Sequence, residues 1–185
     1  MQTGSNQNVL RSAKSVAVVT ALILLLPLVA MQFTDEVVWD LADFLVAGFL
    51  LFGAGLTYKL LANKMSNITY RIAIGVALVA AFVLVWMNLA VGIIGNEGDP
   101  ANLMYVGVLI VGIIGAIMAR FQPRGMARAL LMTAIAQAVV AAIAIFAELG
   151  TPLNGPQEIL MINGFFVALF VISALLFRHA AHVAA

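Results

Sequence analysis

Long apolar runs alternate with short polar segments along the whole chain. Apolar runs of about 20 residues have the length that an α-helix needs to cross about 30 Å of hydrocarbon. The pattern predicts six membrane-spanning helices, over residues 15–32, 37–60, 70–95, 101–120, 126–148 and 157–178. The connections between them are short, so consecutive helices are expected to lie side by side and antiparallel. The sequence therefore predicts an all-α, polytopic membrane protein.

The chain divides into a short tail and one long apolar region. Residues 1–10 are polar and uncharged, and we expect a loose or interfacial tail there. Residues 11–185 are predicted to form a single six-helix transmembrane domain. Arg11 and Lys14 before the first apolar run could also belong to a signal peptide. That run, however, is longer than the roughly 7–15 residues of a signal-peptide core, so it is predicted to be the first span.

Basic and acidic residues lie at opposite ends of the predicted helices. The basic residues are Arg11, Lys14, Lys59, Lys64, Arg71, Arg120, Arg124, Arg128 and Arg178. The acidic residues are Asp35, Glu36, Asp40, Asp43, Glu97, Asp99, Glu148 and Glu158. With six spans, all the bases fall on one side of the bilayer and the acids at or near the other. Because positive loops stay in the cytoplasm, the sequence predicts three in-out-in hairpins with both termini cytoplasmic.

Composition narrows the range of functions. Only 9% of the residues are charged, against about a quarter in soluble proteins, and 64% are hydrophobic, so the bilayer is the expected surroundings. The few bases form no patch, which argues against nucleic-acid binding. The absence of cysteine excludes disulfides, thiolate metal sites and cysteine nucleophiles. With only two histidines, at the carboxyl end, we expect no metal and no cofactor.

Two carboxylates give the strongest local signal for a functional site. Asp40 and Asp43 are three residues apart and lie on one face of the second predicted helix. Ionisable groups at membrane depth usually face protein or water rather than lipid. Other polar residues are predicted at a similar depth, and together they could line a polar pocket open to the outside. The candidate binding residues, for a substrate or an ion, are Asp40, Asp43, Asn88, Asn102, Tyr105 and Asn163.

Some of these polar residues, and Gln137 in the fifth predicted helix, also have a structural interpretation. Asp40 could be a helix-terminal acid in the headgroup zone, whereas Asp43 lies a turn deeper and fits a buried role better. Asn88 and Gln137 could each form a hydrogen bond between helices, which stabilises membrane bundles. The sequence leaves both interpretations open.

Four segments resemble a group of small uncharacterised bacterial membrane proteins. They begin at Trp39 (WDLADF), Val91 (VGIIG), Asn102 (NLMY) and Gly125 (GMARAL), and the resemblance covers about residues 36–178. It implies a location in the bacterial inner membrane. It implies no activity, because none is assigned to the group.

Three classes of function remain open. The first is a small cation, proton or small-solute transporter or channel with a polar site near the outer face. The second is a non-catalytic accessory or scaffold subunit, as part of a homo-oligomer or a larger membrane complex. The third is a lipid- or quinone-binding protein or a membrane enzyme, although no nucleophile or cofactor motif can be named. Transport or conduction is the interpretation that we favour.

Overall fold

The computed structural model describes residues 2–63 and 67–183, with side chains from Leu10 onward. In these ranges every regular element is a helix. The helices are α1 (Gln2–Ala30), α2 (Leu41–Ala62), α3 (Ile68–Ala90), a short 3-10 helix (Pro100–Leu103) continuing into α4 (Met104–Met118), α5 (Pro123–Phe146) and α6 (Pro156–Val183). Residues 2–10, which the sequence predicts as a tail, belong to the same helix as the first span.

Six segments of the described chain are long and apolar enough to cross a membrane. The all-α class and the number of predicted spans are thus confirmed, and the chain fits a multi-pass membrane protein. The helices form two compact units, one of α1 and α2 and the other of α3 to α6. The division of the sequence into a tail and a single domain stays a prediction.

Capping residues fix where several helices begin. Asp40 is the N-cap of α2, and its side chain accepts a hydrogen bond from the Asp43 backbone N–H. Asp99 caps the 3-10 helix, with Pro100 directly behind it, as the sequence predicts. α6 begins at Pro156 and carries Glu158 in its first turn, also as predicted. Acids and proline at these positions match the unpaired N–H groups and the positive end of each helix dipole.

The predicted end of the third span, at residue 95, is wrong. α3 ends at Ala90, because the backbone turns left-handed at Gly92 (φ +76°) and again at Gly95 (φ +69°). Hydropathy continues through Ile93 and Ile94, which are fully buried in the loop rather than in the helix. An apolar run can therefore extend beyond the end of the helix when the following loop folds back into the protein.

In the first unit, α1 and α2 pack closely through a glycine. A Cβ on Gly55 would lie 2.9 Å from Cγ1 of Val16, so only glycine lets the two helices approach this far without a shift. Lys59 Nζ donates a hydrogen bond to Ser15 Oγ (2.8 Å) in the same pair of helices. Small residues at the contact are the usual way in which helices associate in lipid.

In the second unit, α5 and α6 make the most extensive contact. α4 packs on α5, and α3 packs mainly on α6 rather than on α4, its neighbour in sequence. Ser173 Oγ on α6 donates to the carbonyl oxygen of Ala73 on α3 (2.7 Å). Tyr70 Oη donates to the carbonyl oxygen of Phe121 in the α4–α5 turn (2.7 Å). These bonds join α3, α6 and that turn near one end of the unit.

Candidate functional site

Three buried polar side chains meet inside the second unit, one each from α4, α5 and α6. Tyr105 Oη donates to Asn163 Oδ1 over 3.0 Å, and Gln137 Nε2 donates to the same oxygen over 2.8 Å. Asn163 Nδ2 donates back to the carbonyl oxygen of Ile159 in its own helix (2.8 Å). Gln137 and Asn163 have no exposed surface, and Tyr105 has 1%. We call Tyr105, Gln137 and Asn163 the polar network.

The orientation of both amides in the network follows from their partners. The carbonyl oxygen of Ile159 only accepts, so the Asn163 nitrogen must face it and the Asn163 oxygen must face the other two residues. Gln137 then has to present its nitrogen to that oxygen, because two oxygens without a proton would repel. Gln137 Oε1 is left buried, without a hydrogen bond from the part of the chain that the structure describes. A buried acceptor of this kind is costly and uncommon.

The polar network lies within about three turns of the helix ends, and Tyr105 is the second residue of α4. At about 1.5 Å per residue, Asn163 is about 10 Å along α6 from Pro156, and Gln137 about 14 Å from the carboxyl end of α5. The charged residues of the second unit are near helix ends or in loops: Arg71, Glu97, Asp99, Arg120, Arg124, Arg128, Glu148, Glu158 and Arg178. The network is therefore a neutral polar site in apolar surroundings.

Asn102 holds the loop between α3 and α4. Its Oδ1 accepts hydrogen bonds from the backbone N–H groups of Ile93 and Ile94, both at 3.0 Å. Its Nδ2 donates to the carbonyl oxygens of Ile94 (3.0 Å) and Asn96 (2.7 Å). The whole amide is used by backbone, which leaves it little capacity to bind a ligand. Asn102 lies one turn before Tyr105, so this loop is near the end of α4 that carries the network.

The loop between α5 and α6 joins the same end of the unit. Gly95 N–H donates to Asn154 Oδ1 (2.6 Å), which connects the two loops directly. A Cβ on Gly150 would lie 2.9 Å from the Gly95 nitrogen, so the backbones of the two loops pass too closely for a larger residue. Neither Asn154 nor this loop contact is predicted from sequence, because a loop asparagine carries no signal of its distant partner.

Asp40 and Asp43 lie in the other unit and form a reciprocal capping box. Asp40 Oδ1 accepts from the Asp43 N–H, and Asp43 Oδ2 accepts from the Asp40 N–H, each at 2.9 Å. Both residues are exposed. A capping box needs this spacing for purely local reasons, which accounts for the two acids at the start of α2.

Asn88 bonds within its own helix instead of between helices. Its Nδ2 donates to the carbonyl oxygen of Leu84 (2.8 Å), and its Oδ1 is buried without a partner in the described chain. Of the six candidate residues, the structure thus joins Tyr105 and Asn163 by a direct hydrogen bond. Gln137, which the sequence offers only as a structural residue, completes that pair. The signal in the sequence that could have identified Gln137 as a site residue was its position as a lone polar residue in a long apolar helix.

Two further results bear on the identity of the protein. The described residues contain no group of three or more His, Cys, Asp or Glu side chains placed to hold a metal ion. The fold fits a helical membrane protein, and the polar network is an uncharged buried cluster within it. Comparison with protein families, with curated proteins and with solved structures found no match.

Proposed function

We propose that this protein is a small transporter or channel of the bacterial inner membrane that binds a small solute at the polar network. The observation that supports the proposal is the burial of three hydrogen-bonded polar side chains on three different helices. Polar groups inside a span are expensive and are typical of substrate pathways. The resemblance to small bacterial membrane proteins and the sorting of charges support the location and the cytoplasmic termini.

Reconstitution into liposomes tests this proposal. Stopped-flow light scattering would follow the entry of glycerol and urea as neutral probes, and ion-sensitive dyes would follow K⁺ and H⁺. We expect at least one neutral probe to enter faster than into liposomes without protein. Equal rates for every probe in the two preparations would contradict the proposal.

A matched pair of tyrosine variants separates a site effect from a stability effect. Tyr105→Phe removes the hydroxyl that bonds Asn163, and Tyr70→Phe removes the hydroxyl that bonds Phe121 near the opposite end of the same unit. Each change removes one hydrogen bond, which is worth about 1 kcal/mol. We expect Tyr105→Phe to alter solute entry and Tyr70→Phe to leave it unchanged. The same change in both variants would indicate a purely structural role.

A cation or proton pathway is the second candidate, and the exposed carboxylates of Asp40 and Asp43 favour it. Asp43→Asn removes the charge but keeps an oxygen that can accept from the Asp40 N–H. The helix should therefore begin as before. If these carboxylates carry a cation or proton, Asp43→Asn abolishes its flux while the fold is retained. Wild-type flux in this variant would remove Asp43 from the pathway.

A further inference from the structure

We propose that Gln137 Oε1 is the contact atom for the solute, and that the solute is a neutral molecule carrying an O–H or N–H donor. The inference rests on the proposed function and deepens it by naming the substrate class. Its geometric basis is the forced orientation of the network: Asn163 turns its oxygen to Gln137, and Gln137 Oε1 receives no hydrogen bond from the described chain.

Gln137 Oε1, which has no partner in the described chain, decides the polarity of the ligand. Asn163 Oδ1 already accepts two hydrogen bonds, from Tyr105 and Gln137, which use both of its lone pairs. Gln137 Oε1 is an acceptor, so a ligand must offer it a donor. A molecule with acceptors alone, such as a quinone, would leave this oxygen unsatisfied.

The neutral chemistry of the polar network decides the net charge of the ligand. The polar network contains only amides and a phenol, and the charged residues of the second unit lie near helix ends or in loops. A cation bound there would be desolvated and would find no counter-charge among the three side chains of the network, which is strongly unfavourable. A neutral hydroxyl or amide meets only the smaller cost of losing water, which the new hydrogen bond offsets. Polyols and urea-like amides have this chemistry, and water shares it.

A substitution at Gln137 tests the contact through solute entry into proteoliposomes. Gln137→Met keeps the length of the side chain but offers no strong donor or acceptor. Gln157→Met makes the same change at an exposed glutamine outside the polar network and serves as the control. Loss of one neutral hydrogen bond weakens binding by about fivefold. We therefore expect glycerol entry to fall about fivefold in Gln137→Met and to stay near the wild-type rate in Gln157→Met.

An infrared measurement reads the contact without transport. The six glutamines would carry a 13C-labelled side-chain carbonyl, and the band lost in Gln137→Met would belong to Gln137. A carbonyl that accepts a hydrogen bond absorbs at a lower frequency than a free one. We expect the Gln137 band to move down when glycerol is added to the wild-type protein. Sucrose at equal osmolarity provides the control for a general effect on hydration.

The outcomes separate the two proposals. Solute entry in the wild type that Gln137→Met leaves unchanged overturns the contact and keeps the transport function. A glycerol-dependent band without solute entry supports the contact and contradicts transport. A band that responds to H₂O/D₂O exchange but not to glycerol or urea identifies water as the occupant and overturns the solute assignment. A band that responds to none of them overturns the site.

Discussion

Asn102→Ala should be one of the most destabilising single substitutions in the second unit. The side chain forms four hydrogen bonds to the α3–α4 loop: it accepts from the N–H groups of Ile93 and Ile94 and donates to the carbonyl oxygens of Ile94 and Asn96. Three of these bonds are fully buried. Alanine removes all of them at once and leaves their backbone partners inside the protein.

The expected loss follows from the number of bonds. A hydrogen bond contributes about 0.5–1.5 kcal/mol net, so the four together contribute about 2–6 kcal/mol, with a central value of about 4. Domains of this size have free energies of unfolding of about 5–15 kcal/mol. The substitution should therefore remove a large part of the stability. Entry of water into a partly opened loop would bring the loss toward the lower limit.

Asn96→Ala is the matched control, because it makes the same change in the same loop. The Asn96 side chain accepts one exposed hydrogen bond, from the Gly98 N–H (2.9 Å). We expect a loss of about 0.5 kcal/mol for this variant. SDS titration in mixed micelles, followed by circular dichroism, would give the free energy of unfolding of both. Hydrogen exchange should also show lost protection at Ile93 and Ile94 in Asn102→Ala alone.

The prediction for Asn102→Ala is refuted if the free energies of unfolding of the two variants differ by less than about 1 kcal/mol, the value of a single hydrogen bond. Unchanged hydrogen exchange at the Ile93 and Ile94 amides in Asn102→Ala would refute the claim that Asn102 protects them. In either case the four bonds would not be what holds the loop, and burial of the two isoleucines alone would have to account for its position.

Two further predictions concern topology and packing. The chain has no cysteine, so Glu97→Cys and Arg124→Cys each give a single labelling site. An impermeant maleimide should label Cys at position 97 from the periplasm, and Cys at position 124 only after the membrane is permeabilised. The reverse labelling pattern would contradict the predicted topology. In a Gly115→Ala variant the new Cβ would lie 2.8 Å from the Ala129 Cβ, whereas at Gly107 it would meet nothing within 4 Å. We expect Gly115→Ala to lower the free energy of unfolding by about 1–3 kcal/mol, because it disturbs the α4–α5 contact. Gly107→Ala should stay within about 1 kcal/mol of wild type in the same SDS titration. Equal free energies of unfolding for the two variants would show that close packing at Gly115 is unimportant.

The helical class and several helix starts could be predicted because they depend on local chemistry. An acid followed by proline at Asp99–Pro100 satisfies unpaired N–H groups whatever lies around it, and the helix begins there. The end of α3 could not be predicted from hydropathy, because Ile93 and Ile94 are as apolar in a buried loop as in a helix. The helix partner of α3 could not be predicted either, since its contact with α6 joins residues such as Ser173 and Ala73 that are far apart in sequence.

The site shows the same limit most clearly in two asparagines. Asn102 lies in the short 3-10 helix and Asn163 lies within α6, and nothing in the residue type distinguishes them. In the structure Asn102 uses all of its hydrogen-bonding groups on its own loop. Asn163 instead bonds two side chains from other helices, and so determines which atom of Gln137 has no partner in the described chain. The difference depends on the partners that the fold provides. Whether a buried amide is structural or available for binding is therefore decided by its hydrogen-bond partners in three dimensions. In the polar network, Gln137 Oε1 is the buried atom to which the described chain gives no partner.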